Sequence, residues 1–218
     1  MARSETGTTV ALGGVHVSVP DGGTQVVTVH RTSGACADVR FWAKTDGAWV
    51  EELMTADGRI GSGGLVPGDE RRQGTSTTPT GTFALPSTFG THAASNDQKL
   101  PHIAITGDSY WVVDNDSAHY NRYRLGSAGG FRHGLSAGDI NASERLADYP
   151  VQYEYAVVID YNHDQVRHRG AAIFLHVNGS GATGGCVGVP RWMMKELFAR
   201  LDPDANPVIA IGALSDRR

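Results

Sequence analysis

This sequence lacks three features that would assign a chain to common functional classes. Its longest apolar run, residues 171–175, is far shorter than the roughly 18 residues of a membrane-spanning helix, so we expect no membrane span. With a net charge of −4 and no long Lys/Arg cluster, we also expect no nucleic-acid binding. Residues 1–9 are polar and lack the apolar core of a secretory signal, so we expect a flexible arm without an export signal.

Cysteine is scarce as well. Only Cys36 and Cys186 are present, and neither lies in a C-x-x-C pair. A structural zinc site would therefore lack ligands, and a thioredoxin-like redox motif would lack its resolving thiol. The residues alone leave three interpretations open: one disulfide, two inert thiols, or one reactive thiol with a bystander.

Glycine, in contrast, is abundant. The 28 glycines are about 13% of the 218 residues, against an average of about 7%, which favours tight turns over long helices. Short β-like runs bounded by Gly, Pro, Asp or Ser recur along the chain, as strands joined by turns should. The predicted strands are 25–30, 39–44, 48–53, 82–85, 102–106, 110–114, 153–160, 171–177 and 208–211. We therefore predict a mainly β fold, with residues 10–218 as one domain in which 10–53 could be an added β-layer.

One amphipathic helix is predicted shortly after Cys186. From Pro190 the chain reads PRWMMKELFARLDP, in which Pro190 suits the first helical position and Pro203 disfavours helix at the residue before it. The apolar residues fall on one helical face: Met193, Met194, Leu197, Phe198 and Leu201.

The segment IFLHVNGSGATGGCVGVP, residues 173–190, carries the clearest chemical signal. His176 lies near the end of a predicted buried strand, and a loop of small residues leads to Thr183, Gly184, Gly185 and Cys186. Taken singly, a buried histidine or cysteine is more often structural. Together they favour catalysis, because an imidazole within hydrogen-bond reach of a thiol can accept its proton. The N–H groups of Gly185 and Cys186 could then face the oxyanion of a tetrahedral intermediate.

These residues resemble the active-site signature of the L,D-transpeptidase (YkuD-like) catalytic domain, in which a histidine is followed by Ser/Thr-x-Gly-Cys. The earlier segment TTPTGTF, residues 77–83, is similar to the T-P-x-G-x-F segment near the start of that domain. The resemblance covers about residues 65–212. It implies Cys186 as nucleophile and His176 as base, with Thr183 at the Ser/Thr position and Gly185 before the cysteine.

The resemblance also implies a fold and a substrate. The fold would be a β-sandwich or barrel, and Cys186 would attack the L-centre carbonyl of a diaminoacid in a peptidoglycan stem peptide, releasing D-Ala. The thioester would then be resolved by the amine of a second stem, giving a 3→3 cross-link, or by water, as in an L,D-carboxypeptidase. Carbapenem-type β-lactams would be covalent inhibitors. The resemblance implies no metal or organic cofactor, and a secreted, cell-wall or periplasmic location.

The sequence departs from the family pattern beside the nucleophile. The usual signature has Arg or Asn two residues after the cysteine, where this chain has Gly188. Two other interpretations stay open, of which the first is motivated by this departure and the second by the two cysteines. One is a non-catalytic cell-wall-binding domain that keeps the fold, and the other is a secreted β-domain with a structural disulfide between Cys36 and Cys186.

Three further side chains are candidates for substrate binding. Trp111 lies in a predicted strand, and Tyr120 and Asn121 lie in the loop after it. Their aromatic and amide groups either line a groove for a peptide or glycan or serve to cap turns. The neighbouring arginines Arg71 and Arg72 are interpreted as a solvated pair.

Overall fold

Strands dominate the backbone of residues 7–212, the part of the chain that the computed structural model describes. The strands, β1 to β16, are Thr8–Leu12, Val15–Val19, Gln25–Ser33, Cys36–Thr45, Ala48–Arg59, Leu65–Pro67, Thr78–Ala84, Thr88–Gly90, His102–Ala104, Ser109–Trp111, Tyr123–Leu125, Glu144–Arg145, Ala156–Val158, Phe174–Val177, Val187–Val189 and Val208–Gly212. The α-helix of these residues, α1, is Arg191–Arg200. Short 3-10 turns occur at Gly126–Ala128, Leu146–Asp148, Gln152–Glu154 and Pro203–Ala205.

Eleven of these strands form one sheet, in the order β6-β7-β16-β3-β4-β5-β15-β14-β13-β8-β9. Consecutive antiparallel strands β3, β4 and β5 occupy its middle, and their turns use Gly34 and Gly47, whose positive φ angles of 55° and 83° glycine adopts without strain. Separate from it, β1 and β2 form a hairpin, and β10, β11 and β12 form a three-stranded sheet. Much of the segment 10–53 is thus part of the main sheet.

The largest core cluster lies between the middle strands and the strands that carry the site. It joins side chains of β3 and β4 to side chains of β13, β14, β15 and α1: Val27, Val29, Val39, Phe41, Val157, Leu175, Val177, Val187, Val189, Met193, Met194 and Leu197. Burial of this apolar surface is the main force that holds the layers together. The prediction of a mainly β, sandwich-like fold with one amphipathic helix is confirmed.

The predicted helix begins one residue later than expected. Pro190 lies just before it with extended backbone angles, φ −55° and ψ 146°, and the helix starts at Arg191. Its buried residues are among those of the predicted apolar stripe: Met193, Met194, Leu197 and Phe198.

Four predicted strands are shorter than expected: 102–106 and 110–114 are observed as His102–Ala104 and Ser109–Trp111, and the other two lie beside the site. The run 153–160 contributes Ala156–Val158 as strand, and the run 171–177 contributes Phe174–Val177. In the second case the reason is local backbone conformation, because Gly170 and Ala172 have φ angles of 107° and 57°, which a strand does not allow. Residues 170–172 instead form a bend beside the candidate site.

Residues 1–6 of the predicted N-terminal arm lie outside the described residues, and Thr8 and Thr9 belong to β1. Across residues 7–212, every helix is too short or too polar to traverse a lipid bilayer.

Candidate active site

Strands β14 and β15 bring His176 and Cys186 to the same face of the sheet. They run parallel, with His176 opposite Gly188 and Leu175 opposite Val187. Because side chains alternate between the two faces of a strand, and Leu175 and Val187 point into the main core, His176 and Cys186 emerge on the opposite face. Cys186 lies immediately before β15, so this register makes it the diagonal neighbour of His176.

A cavity of about 920 Å³ opens in front of this face. Its walls include both residues, the loop 179–184, the bend 170–172 and the side chains of Arg71, Glu144 and Tyr153. A volume of this size admits the end of a short peptide.

The imidazole of His176 is held in one tautomer. Its Nδ1 lies 2.8 Å from the carbonyl oxygen of Val177, to which it donates, so that Nε2 carries the free lone pair. The side chain is buried, which lowers its pKa, and the Tyr153 ring packs edge-on against it with centroids 5.5 Å apart. A neutral imidazole with a free Nε2 is suited to accept a proton.

The thiol of Cys186 is also neutral at rest. Its Sγ accepts from the Phe174 N–H and donates to the Ala172 carbonyl, both at 3.4 Å. Burial, and secondarily the charge of Glu144, raises its pKa to about 12. The hydrogen bonds found for the sulfur thus run to backbone groups and not to His176, in contrast to the contact expected from the sequence.

Thr183 organises the loop before the nucleophile. Its Oγ1 donates to the Cys186 carbonyl at 2.6 Å and accepts from the Gly185 N–H at 3.2 Å, while its own backbone N–H donates to Ile60 at 3.0 Å. The Gly185 N–H, expected to face an oxyanion, is therefore already engaged. Gly184 lines the cavity, and a side chain there would meet open space.

Gly185 connects the two sequence motifs. It has a φ of 134°, and a Cβ at this position would come within 2.8 Å of the Thr77 carbonyl oxygen and of Arg71 Nη2. Only glycine fits there. The first motif, which begins at Thr77, thus packs directly against the residue before Cys186.

Two cavity residues were missed from the sequence. Glu144 accepts a short hydrogen bond from the Tyr153 hydroxyl, and burial raises the pKa of its carboxyl group to about 7. No local pattern marks them, because Glu144 follows an irregular loop and Tyr153 was assigned to a strand.

The interpretation of Arg71 and Arg72 as a solvated pair is wrong for Arg71. Arg72 is exposed, but Arg71 is only 4% exposed. Its Nε donates to the Thr77 carbonyl at 2.7 Å and its Nη1 to the Arg169 carbonyl at 3.2 Å, and its guanidinium lies over the Tyr161 ring. The residues that bury it lie up to about 100 positions away, so adjacent charges in the sequence could not reveal its environment.

Comparison with known proteins assigns the family. A family model described as the YkuD L,D-transpeptidase catalytic domain matches residues 37–209. The chain belongs to the YkuD family. The match begins before residue 65, where the resemblance first became visible in the sequence, and includes most of β4 and all of β5. YkuD domains carry out L,D-transpeptidase-type chemistry on peptidoglycan peptides and are usually periplasmic or in the cell wall.

Two further comparisons add little. The solved structure of Bdellovibrio bacteriovorus Bd1075 is similar at 14% identity and a TM-score of 0.43, over 94% of this chain and 54% of that chain. This chain therefore spans about half the length of Bd1075. Among curated proteins, none matches the sequence.

Packing explains why this YkuD chain has glycine where the family signature has Arg or Asn. A Cβ on Gly188 would lie 3.1 Å from the Cβ of Asn178 and 3.6 Å from the Cβ of Arg59. Asn178 is itself held by a 2.8 Å hydrogen bond to the Asp57 carbonyl. A long side chain at 188 would displace this packing.

The three predicted substrate-binding residues do not line the cavity. Trp111, Tyr120 and Asn121 are all at most 9% exposed and are hydrogen-bonded within the protein. Asn121 Oδ1 accepts from Trp111 Nε1 at 2.9 Å and from the Ala172 N–H at 3.2 Å, and the Tyr120 hydroxyl accepts from the Gly170 N–H at 2.9 Å. They brace the bend 170–172 from behind, which corrects the prediction of direct substrate contact.

The disulfide interpretation is wrong as well. Cys36 and Cys186 are both free thiols, the first half-buried and the second buried. Between residues 7 and 212, there is no cluster of three or more His, Cys, Asp or Glu side chains that could hold a metal ion.

Proposed function

We propose that this chain is a cysteine acyltransferase acting on peptidoglycan stem peptides. Cys186 is the nucleophile, His176 is the general base, and Thr183 and the adjoining glycines shape the loop that receives the scissile carbonyl. The donor is a stem peptide cleaved at the L-centre of its diaminoacid, with release of the terminal D-Ala. The site of action is the cell wall or periplasm.

The observation that carries this proposal is the diagonal placement of His176 and Cys186 on the wall of one cavity. The parallel register of β14 and β15 determines this placement, and the hydrogen bond from Nδ1 to the Val177 carbonyl orients the imidazole. A backbone carbonyl thus has the orienting role that a carboxylate has in other triads.

The neutral resting pair defines the order of proton transfers. The S–H group turns from the Ala172 carbonyl toward Nε2 of His176, and the proton moves to the imidazole as sulfur attacks the carbonyl carbon. The S–C bond forms, the amide C–N bond breaks, and the imidazolium returns the proton to the departing amine. An amine or water then attacks the thioester while His176 takes its proton, the C–S bond breaks, and the imidazolium returns the proton to the sulfur of Cys186.

Incubation with purified stem tetrapeptides, followed by mass spectrometry, tests this proposal. We expect release of D-Ala, together with a 3→3 dimer if an amine is the acceptor or a tripeptide if water is. Cys186→Ala should lose at least about 1,000-fold in rate, as removal of a nucleophile does in comparable enzymes. Cys36→Ala is the matched control and should retain activity, because Cys36 lies in β4 outside the cavity wall.

Acylation by a carbapenem gives a readout that does not depend on the acceptor. Intact-protein mass spectrometry should show one adduct, and peptide mapping should place it on Cys186. An adduct on Cys36 alone would contradict the assignment of the nucleophile.

A non-catalytic wall-binding domain is the second candidate, and one observation favours it. The thiol is buried and bonded to backbone groups, with its pKa raised to about 12, as in a structural cysteine. This alternative predicts tight muropeptide binding that Cys186→Ala leaves unchanged, and no D-Ala release by the wild type.

A further inference from the structure

Arg71 is a buried cation, and two of its three guanidinium nitrogens donate hydrogen bonds to backbone carbonyls. Its Nε and Nη1 donate to the carbonyls of Thr77 and Arg169, and its guanidinium also interacts with Tyr161. Within residues 7–212 no hydrogen bond from Nη2 to a carbonyl or carboxylate oxygen is found. The side chain is 4% exposed and forms part of the cavity wall. The protein thus fixes a cationic side chain at the wall of the cavity in which a ligand would lie.

Two glycines make room for the guanidinium group. A Cβ on Gly170 would come within 1.7 Å of Nη1, and a Cβ on Gly185 would come within 2.8 Å of Nη2. Both glycines have positive φ angles, 107° and 134°. The backbone on either side thus leaves a cradle for Arg71, and Nη2 lies against the residue immediately before Cys186.

The charge of Arg71 has no carboxylate partner in the described part of the chain. None of the ion pairs formed by residues 7–212 includes it. Arg59, the other arginine near the nucleophile strand, pairs with Asp57 at 2.6 Å and lies off the cavity wall. An unpaired buried charge is costly, so an anionic ligand would be bound with a large gain.

We propose that Arg71 binds the terminal carboxylate of the stem peptide, on the D-amino acid that Cys186 releases. This inference rests on the proposed function. The terminal carboxylate lies one Cα beyond the scissile nitrogen, about one residue length, or ~3.8 Å, along the chain. Arg71 Nη2 lies against Gly185, the residue immediately before the nucleophile, which places this cation next to the carbonyl that Cys186 attacks. Arg71 thus replaces the cation that Gly188 cannot supply, and it selects peptides that end at this position.

The wild-type protein provides the first test, with no substitution that could disturb folding. Its kcat/KM should be compared for a stem tetrapeptide with a free C-terminal carboxylate and for the same peptide with a C-terminal amide. We expect about 10- to 100-fold preference for the free acid, the range for charge-assisted hydrogen bonds. Equal turnover of acid and amide would overturn the proposal.

Arg71→Met is the second test, with Arg72→Gln as the matched control on the exposed neighbour. In Arg71→Met the rate on the acid should fall about 10- to 100-fold while the rate on the amide changes little, so that the preference disappears. Arg72→Gln should keep the preference for the free acid over the amide. An equal fall on both peptides in a folded Arg71→Met protein would instead indicate oxyanion stabilisation or structural support, and would refute carboxylate binding.

A binding measurement separates this inference from the proposed function. Calorimetry with Cys186→Ala should show tighter binding of the acid than of the amide, and Arg71→Met in that background should abolish the difference. If D-Ala release is never seen but this difference is, the proposed function fails and the role of Arg71 stands. If release occurs but binding does not distinguish the peptides, the role of Arg71 fails and the function stands.

Discussion

Glu144 makes the stability of this protein depend on pH in a direction opposite to that of most carboxylates. It lies on the cavity wall, partly buried, and accepts a hydrogen bond from Tyr153. No ion pair of residues 7–212 includes it, so burial dominates and raises its pKa from 4.5 to about 7. Replacing it with glutamine, which keeps the shape and the acceptor oxygen, removes the ionisation alone.

The magnitude follows from linkage. Between pH 4.5 and about 7 the folded protein keeps a proton on Glu144 that the unfolded chain releases. The associated stability is complete below pH 4.5 and is lost as pH rises through 7. At about 1.36 kcal/mol per pH unit, the loss reaches about 3 kcal/mol, an upper bound because solvent screens a partly exposed group.

Urea unfolding of the wild type and of Glu144→Gln, followed by tryptophan fluorescence from pH 4.5 to 8.5, measures this effect. The difference in the free energy of unfolding between the two proteins should change by up to about 3 kcal/mol across the range, in favour of the variant at high pH. The lowered pKa of His176 gives a slope of opposite sign, but it is present in both proteins and cancels in the difference. Asp148→Asn, at an exposed carboxylate paired with Arg145, is the control for the loss of a surface carboxylate.

A constant difference between the wild type and Glu144→Gln would refute this reasoning. It would mean that the carboxyl group is solvated in the folded protein. The contribution of the Glu144 charge to the raised pKa of the Cys186 thiol would then also have to be abandoned.

Three other predictions follow from the same contacts. Iodoacetamide at pH 8 should label Cys36 faster than Cys186, because the first thiol is half-buried while burial raises the pKa of the second to about 12; peptide mapping that finds Cys186 labelled first would contradict this. Thr183→Val should lower kcat about 10- to 100-fold through loss of its two loop hydrogen bonds, whereas Thr183→Ser should retain most activity; an unchanged rate in the valine variant would rule out the positioning role. Asn121→Ala should lower the free energy of unfolding by about 1 to 3 kcal/mol, since the buried Ala172 N–H loses its acceptor; a change in substrate KM with unchanged stability would instead restore the predicted substrate contact.

Local patterns in the sequence predicted part of the secondary structure that surrounds the site, but not β15, which follows Cys186 directly. The apolar runs of β14 and β16 and the stripe of α1 are visible because periodicity and proline placement act over a few residues. The strand ends were less predictable, since Ala172 has a positive φ angle and its N–H donates to the side chain of Asn121, about 50 positions away in sequence.

The electrostatics of the cavity could not be predicted in the same way. In the sequence, Arg71 is one of two neighbouring arginines with the pattern of a surface pair. In the folded protein it is buried by contacts with Thr77, Arg169 and Tyr161. Likewise, the hydrogen bond between Glu144 and Tyr153 beside Cys186 forms only when their two segments meet in the folded protein. Desolvation depends on everything that packs around a group, and most of that lies far away in the chain.

The sequence by itself determined the β class, the single helix and the order of His176, the small-residue loop and Cys186, because each of these depends on neighbouring residues. Only the tertiary structure decided that the thiol rests neutral, that Trp111, Tyr120 and Asn121 support the site from behind, and that Arg71 stands unpaired at the cavity wall. Burial and charge pairing arise when distant segments meet, and β14 and β15 meet the loop of Arg71 only in the folded protein.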